Sequence, residues 1–211
     1  NNTIKAPLPM PECNIPILYR VIFNFTRKNG GEFTAYLSQV EIFHKAVLRS
    51  GLNFVFSSGF NPLPRLEFAS AMTLGISSFE ETASCLLYEN IESSEFVSKM
   101  NKVLPSNLQI TEAFIFPVTN MRKRESLSQG LWGGIYRYSF YLPSDAFFES
   151  EQYSEFLEKN SAAKIKSIEK NEYQAILPVS DKNFRLAIET FYEKKWYEVV
   201  SIEKLHTLAK N

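Results

Sequence analysis

The chain has 211 residues, 45% of them apolar, and 23 Lys+Arg balance 23 Asp+Glu. That is enough apolar material for one domain or two small ones, and too much for a disordered chain. Zero net charge gives no overall pull toward nucleic acid or a membrane surface, so either partner would need a local patch. No apolar stretch has the length of a transmembrane helix, and the chain as given has no signal peptide, so the expected location is the cytoplasm. It begins at Asn1 without a methionine, which leaves a leader or an upstream domain open.

Residues 1–18 carry Pro7, Pro9, Pro11 and Pro16 and read as a proline-rich arm. From Tyr19 the residues alternate, with Tyr19, Val21, Phe23 and Phe25 on one face of a strand. A basic glycine turn, Arg27-Lys28-Asn29-Gly30-Gly31, follows. Leu37, Val40, Phe43, Val47 and Leu48 predict a helix over Thr34–Ser50, with Gly51 as its C-terminal cap. Asn53–Ser57 reads as a short strand. Next comes Ser58-Gly59-Phe60-Asn61-Pro62-Leu63-Pro64-Arg65, through which no helix can run. It is a stiff loop presenting Ser58, Asn61 and Arg65 from a constrained backbone, the alternative being a plain structural turn. A strand near Leu66–Ala71, another over Thr82–Tyr88, a helix from Ser93 or Ser94 to Leu104 and a strand over Leu108–Phe116 complete a β-α-β-β-α-β order.

Residues 118–134 break the pattern and read as a linker, with a basic run Arg122-Lys123-Arg124 and Trp132. Such a run is usually solvated, although three cations beside a tryptophan suit a phosphate and a stacked base. A strand over Ile135–Leu142, a helix holding Phe147 to Leu157, a hairpin turning at Lys170-Asn171, a helix over Asn183–Lys194 and a strand around Val199–Ile202 repeat the order. The expected fold is α+β: two tandem ferredoxin-like domains with antiparallel sheets, at 19–117 and 135–211.

Gly59-Phe60-Asn61-Pro62-x-Pro64-Arg65, followed by Phe68-Ala69-Ser70-Ala71, Leu74-Gly75 and Ser78-x-x-Glu81, resembles the radical-SAM-linked domain of unknown function. The likeness runs without gaps from about Arg20 to about Ala113. It implies a partner: that domain is fused to, or encoded beside, bacterial radical SAM proteins. Where the family carries a histidine and an aspartate in its first helix this chain has Tyr36 and Ser38, and where it often carries an acid after the glutamate this chain has Ser84. The ionisable groups are replaced and the loop is kept, which favours binding over catalysis.

No nucleotide-binding, zinc-protease or serine-hydrolase motif is present, and no metal or cofactor is expected. Cys13 and Cys85 read as free thiols, and two cysteines fall short of the roughly four ligands an iron–sulfur cluster takes. Glu80 and Glu81 are adjacent on a strand and therefore face opposite ways. Glu81 reads as a partner for Arg65 or a loop amide, or as strand-edge structure. The expected function is a non-catalytic module that holds RNA, or a substrate for a radical SAM partner, in a cleft between two sheets. Its ligand-binding residues would be Ser58, Gly59, Phe60, Asn61, Pro62, Pro64, Arg65, Arg20, Lys28 and Glu81. The alternatives are an RNA-processing enzyme of the paired ferredoxin-like type, with Tyr36 or His44 as base, and a protein–protein interaction module.

Overall fold

A computed structural model describes residues 17–118, 126–178 and 180–210. The basic run at 122–124 and all of the predicted proline arm but residues 17 and 18 therefore lie outside the described residues.

The alternating apolar residues form β1 (Leu18–Arg27), whose Val21, Phe23 and Phe25 are fully buried. After a single 3-10 turn comes α1 (Tyr36–Arg49), which buries Gln39, Phe43, Ala46 and Val47. The predicted stripe is rotated: Leu37 and Leu48 are exposed, and Gln39 is buried because its amide donates to Gly31 O at 3.1 Å. Gly51 takes φ +70° beyond the helix, as its capping place requires. The segment expected to be a strand at Asn53–Ser57 makes only isolated bridges, Phe54 to Leu87 and Phe56 to Pro64. Next are β2 (Leu66–Phe68), β3 (Ser77–Leu87), α2 (Ser93–Asn101) and β4 (Leu108–Val118).

The second half comprises α3 (Leu127–Gly130), β5 (Leu131–Phe140), α4 (Asp145–Phe148), α5 (Glu151–Lys159), β6 (Lys164–Glu169), β7 (Glu172–Pro178), α6 (Lys182–Tyr192), α7 (Trp196–Val199) and β8 (Val200–Ala209). The single helix expected after Pro143 is two, because Ser150 leaves the helical conformation and its hydroxyl accepts from Tyr153 N. The strand expected around Val199–Ile202 runs on to Ala209 as the ten-residue β8.

All eight strands belong to one sheet, in the order β4-β1-β3-β8-β5-β7-β6, with β2 also on β3. Two separate sheets were expected; the halves instead join where β3 runs parallel to β8, at Ser77–Glu203 and Ser78–Lys204. The same edge of β3 carries β2 further along, from Leu66–Cys85 to Phe68–Ala83. The edge of β3 is thus shared by β2 and β8, which part company beside Glu80–Thr82.

Two apolar cores lie on one face of the sheet, under the helices. One is built on Phe23, Phe25, Phe43 and Phe96, the other on Tyr138, Phe147, Phe184 and Trp196. Ile76 comes from the first half but packs in the second core, and Gly75 is so close to Trp196 that an added Cβ would sit 3.3 Å from its ring. The ends of the sheet differ. β6 is six residues with Lys164, Lys166 and Glu169 exposed, whereas β4 is eleven residues and shows Phe114 and Phe116 half-exposed.

Candidate functional site

The Gly-Phe-Asn-Pro stretch is the tip of a short hairpin. Val55 N donates to Leu86 O and Arg65 N to Val55 O, both at 2.9 Å, which fastens the base to β3. Above it Ser57 N donates to Leu63 O at 2.8 Å and Leu63 N returns to Ser57 Oγ at 3.0 Å. Gly59 takes φ +129° with open space around it, so glycine serves conformation there and not clearance. Residues 58–63 and Arg65 are exposed, Phe60 completely, while Pro64 is buried. Among the described residues the side chains of Ser58, Asn61 and Arg65 make no hydrogen bond or ion pair. The residue that pins the loop is Ser57, which sequence reasoning placed in the preceding strand.

The other predicted site residues do not gather around this tip. Arg20 lies on the face away from the apolar cores, with Nη2 3.4 Å from Glu67 and 3.5 Å from Ser84 Oγ. Glu67 also accepts from Leu127 N at 2.6 Å, tying α3 across β2. Lys28 sits over the Phe79 ring at 4.4 Å. Eight residues of extended chain separate Arg20 from Lys28, roughly 26 Å. One basic cleft holding Arg20, Lys28 and Arg65 does not form.

A cleft lies where the halves join, on the face of the sheet away from the two apolar cores and bordered by α3. Its volume is about 330 Å³, and Arg20, Asn24, Ala69, Glu80, Thr82 and Leu127 line it. Its polar groups largely satisfy one another. Thr82 Oγ1 donates to Asn24 Oδ1 at 2.8 Å and Asn24 Nδ2 to Glu112 at 2.7 Å. Glu80 accepts from Thr207 N at 2.9 Å and lies 3.2 Å from His206 Nδ1.

Glu81 points the other way, as the strand alternation predicts, into a buried charged seam. It does not meet Arg65. It accepts from Lys204 Nζ at 2.7 Å, a pair that joins β3 to β8 with both side chains under a tenth exposed. Arg27 is 1% exposed and holds two loops of the first half through their carbonyls: Nη1 donates to Thr73 O at 2.7 Å and Ile76 O at 2.8 Å, and Nη2 to Glu32 O at 2.8 Å and Thr34 O at 3.4 Å. From α6, Arg185 bonds Asp181 at 2.6 Å and reaches Thr73 Oγ1 at 3.4 Å. Burial pulls the Arg27 guanidinium below its usual value, against the attraction of Glu81 and Glu32. Burial pushes the Asp181 carboxyl up, opposed chiefly by Arg185. Sequence reasoning missed Arg27, Asp181 and Lys204. For Arg27 the signal was there, since it continues the parity of Val21, Phe23 and Phe25 into the core.

Among the described residues no cluster of three or more His, Cys, Asp or Glu is arranged to hold a metal ion, and no helix is long and apolar enough to cross a membrane. Cys85 is buried and free, and burial raises its thiol pKa. Cys13 lies outside the described residues.

The pattern of a family described as an uncharacterized protein conserved in bacteria (DUF2344) matches residues 20–209. No curated protein matches the chain. A crystal structure of a candidate glycine cleavage system transcriptional repressor aligns over 92% of this chain and 99% of its own, at 10% identity and a TM-score of 0.23. A TM-score that low carries no argument about fold or function.

Proposed function

The chain belongs to this uncharacterised bacterial family (DUF2344), and from that premise we propose that it is a non-catalytic binding module, an accessory of a radical SAM system that holds RNA through the 59–65 hairpin. The observation that carries this reading is the hairpin tip. A fully exposed phenylalanine stands at the tip, and at the base, which is fastened to β3, stands an exposed arginine with no intramolecular partner among the described residues. An aromatic ring stacks any base, and a guanidinium forks onto phosphate. Asn61 and Ser58 add neutral donors at the same tip. The radical SAM association rests on the resemblance of the Gly-Phe-Asn-Pro motif. The reading of each half as a ferredoxin-like unit is supported by the strand orders β4-β1-β3-β2 and β8-β5-β7-β6, each with its first and third strands central.

One observation favours the enzymatic alternative, and it is not the pair expected. Tyr36 packs edge-on against Phe68 at 6.0 Å, and His44 is partly buried with its pKa lowered by that burial. His206, oriented by Glu80, is the histidine with an acid–base geometry.

The test is binding to a mixed cellular RNA pool as a function of salt, with Arg65→Ala and Phe60→Ala alongside. Affinity should fall steeply with salt. Arg65→Ala should reduce the salt slope by about one, and Phe60→Ala should cost about 1–3 kcal/mol. No binding, or binding indifferent to both substitutions, overturns the RNA reading and leaves capture of a radical SAM protein as the role of the tip. Cleavage of the RNA, lost in His206→Ala, would establish the enzymatic reading instead.

A further inference from the structure

Among the described residues no strand lies beyond β4, and its outer edge has a plugged part and an open part. At Ile110 the edge is plugged: Asn101 of α2 accepts from Ile110 N and donates to Ile110 O, both at 2.8 Å. Further along, hydrogen-bond parity fixes which groups face outward. On the opposite edge of β3, Leu86 O accepts from Val55 N and Thr82 O from Ala69 N. Alternate residues of a strand turn their backbone groups to opposite edges, so Ala83 and Cys85 bond Phe23 and Val21. Ile22 and Arg20 are left to bond β4, through Phe114 and Phe116. The backbone groups of Ala113, Ile115 and Pro117 therefore point out of the sheet, and among the described residues they have no hydrogen-bond partner.

An unpaired edge is a template for another strand. What flanks this one suits a copy of itself. Phe114 and Phe116 are about half exposed and stand on one face, on either side of Ile115. On the other face, Ser94, Val97 and Ser98 of α2 line a groove of about 430 Å³ beside Thr111–Ala113. These short side chains leave the edge open to a second strand.

We propose that two copies of this chain pair antiparallel along β4, about a two-fold axis at Ile115. The two Ile115 residues then exchange N–H···O bonds, and each Ala113 N–H donates to the O of the partner's Pro117. Pro117 has no N–H, so it serves there as an acceptor only, and Ala113 O is left to water. Phe114 falls opposite the partner's Phe116, and Phe116 opposite the partner's Phe114, in the closely spaced pairs of the ladder, where aromatic pairs stabilise a sheet. Glu112 falls opposite the partner's Val118, so no charge meets its like. Moving the axis to Phe114 would set Phe116 against the partner's Glu112 and bring Pro117 up to the bulged Thr111, losing both advantages. The 59–65 hairpin hangs from the opposite edge of β3 and stays uncovered, so the proposal goes beyond the RNA reading and does not depend on it.

The probe is the full chain itself. Sedimentation velocity over a concentration series should show a monomer–dimer equilibrium with a dissociation constant of about 1–100 µM, as suits a pairing smaller than a standard interface. Phe116→Lys, at a half-exposed position, should weaken it about tenfold or more and leave the circular dichroism of the fold unchanged. The register is tested by disulfide trapping in a Cys13→Ser background, where the remaining Cys85 is buried. Under mild oxidation, an equal mixture of Phe114→Cys chains and Phe116→Cys chains should link several-fold faster than either variant alone, because the register sets those two positions opposite each other. A chain that stays monomeric up to about 1 mM overturns the proposal, as does self-association that Phe116→Lys leaves unchanged. Equal linking in the three samples, or fastest linking of Phe114→Cys alone, overturns it too.

Discussion

At the scale of single residues, the charged seam is a place where one substitution is costly. Lys204 and Glu81 are both almost fully buried and bridge the two halves. Replacing one alone strands the other charge, so Lys204→Met should destabilise the protein by about 3–5 kcal/mol in urea unfolding. The double substitution Glu81→Met with Lys204→Met should recover most of that loss, since a well-packed apolar pair is often an equal substitute for a buried ion pair. Part of this was legible. Strand alternation alone sends Glu80 and Glu81 to opposite faces, and Arg27 shares the parity of the buried phenylalanines. The identity of Glu81's partner was not legible, because Lys204 lies 123 residues away and nothing local records a pairing between halves.

At the scale of elements, turn chemistry was the most readable part of the sequence. Asn171 sits at φ 60° between β6 and β7, and the proline-rich loop is a hairpin of fixed shape. Helix phase was less readable. Apolar spacing favoured Leu37 and Leu48 for the core, but the buried stripe is Gln39, Phe43, Ala46 and Val47, set by a side-chain bond to the Gly31 carbonyl that no hydrophobic pattern reports. Glycines inside β5 mark another feature of the element scale. A Cβ at Gly133 would lie 2.0 Å from the Leu177 carbonyl oxygen, so β5 approaches β7 too closely for any side chain there. Gly133→Ala should cost about 3 kcal/mol, at the upper end of overpacking penalties, and should show as a lowered urea midpoint with faster amide exchange in β5 and β7.

At the scale of the whole molecule the two halves are not independent. They share the edge of β3, Ile76 crosses into the second core, and Gly75 lies against Trp196. Both tryptophans, Trp132 and Trp196, report on the second half, and the buried thiol of Cys85 reports on the first. In a Cys13→Ser background, urea titrations followed by tryptophan fluorescence and by Cys85 labelling should give one common midpoint. Two separated midpoints would show that the seam does not couple the halves. The βαββαβ order of each half was visible in the alternation of patterns; their fusion into one sheet was not, because it rests on two paired positions of β3 and β8.

The unlike ends of that sheet also decide how copies can adhere to one another. The outer strand of the second half is six residues with Lys164, Lys166 and Glu169 exposed around a half-exposed Ile168, charges that repel a neighbour, while β4 offers eleven residues of backbone flanked by half-exposed phenylalanines. A ribbon with one sticky rim and one guarded rim cannot polymerise through its rims. Two copies meeting along β4 would use up the sticky rim of both, so any such association stops at the pair and has no route to a fibril.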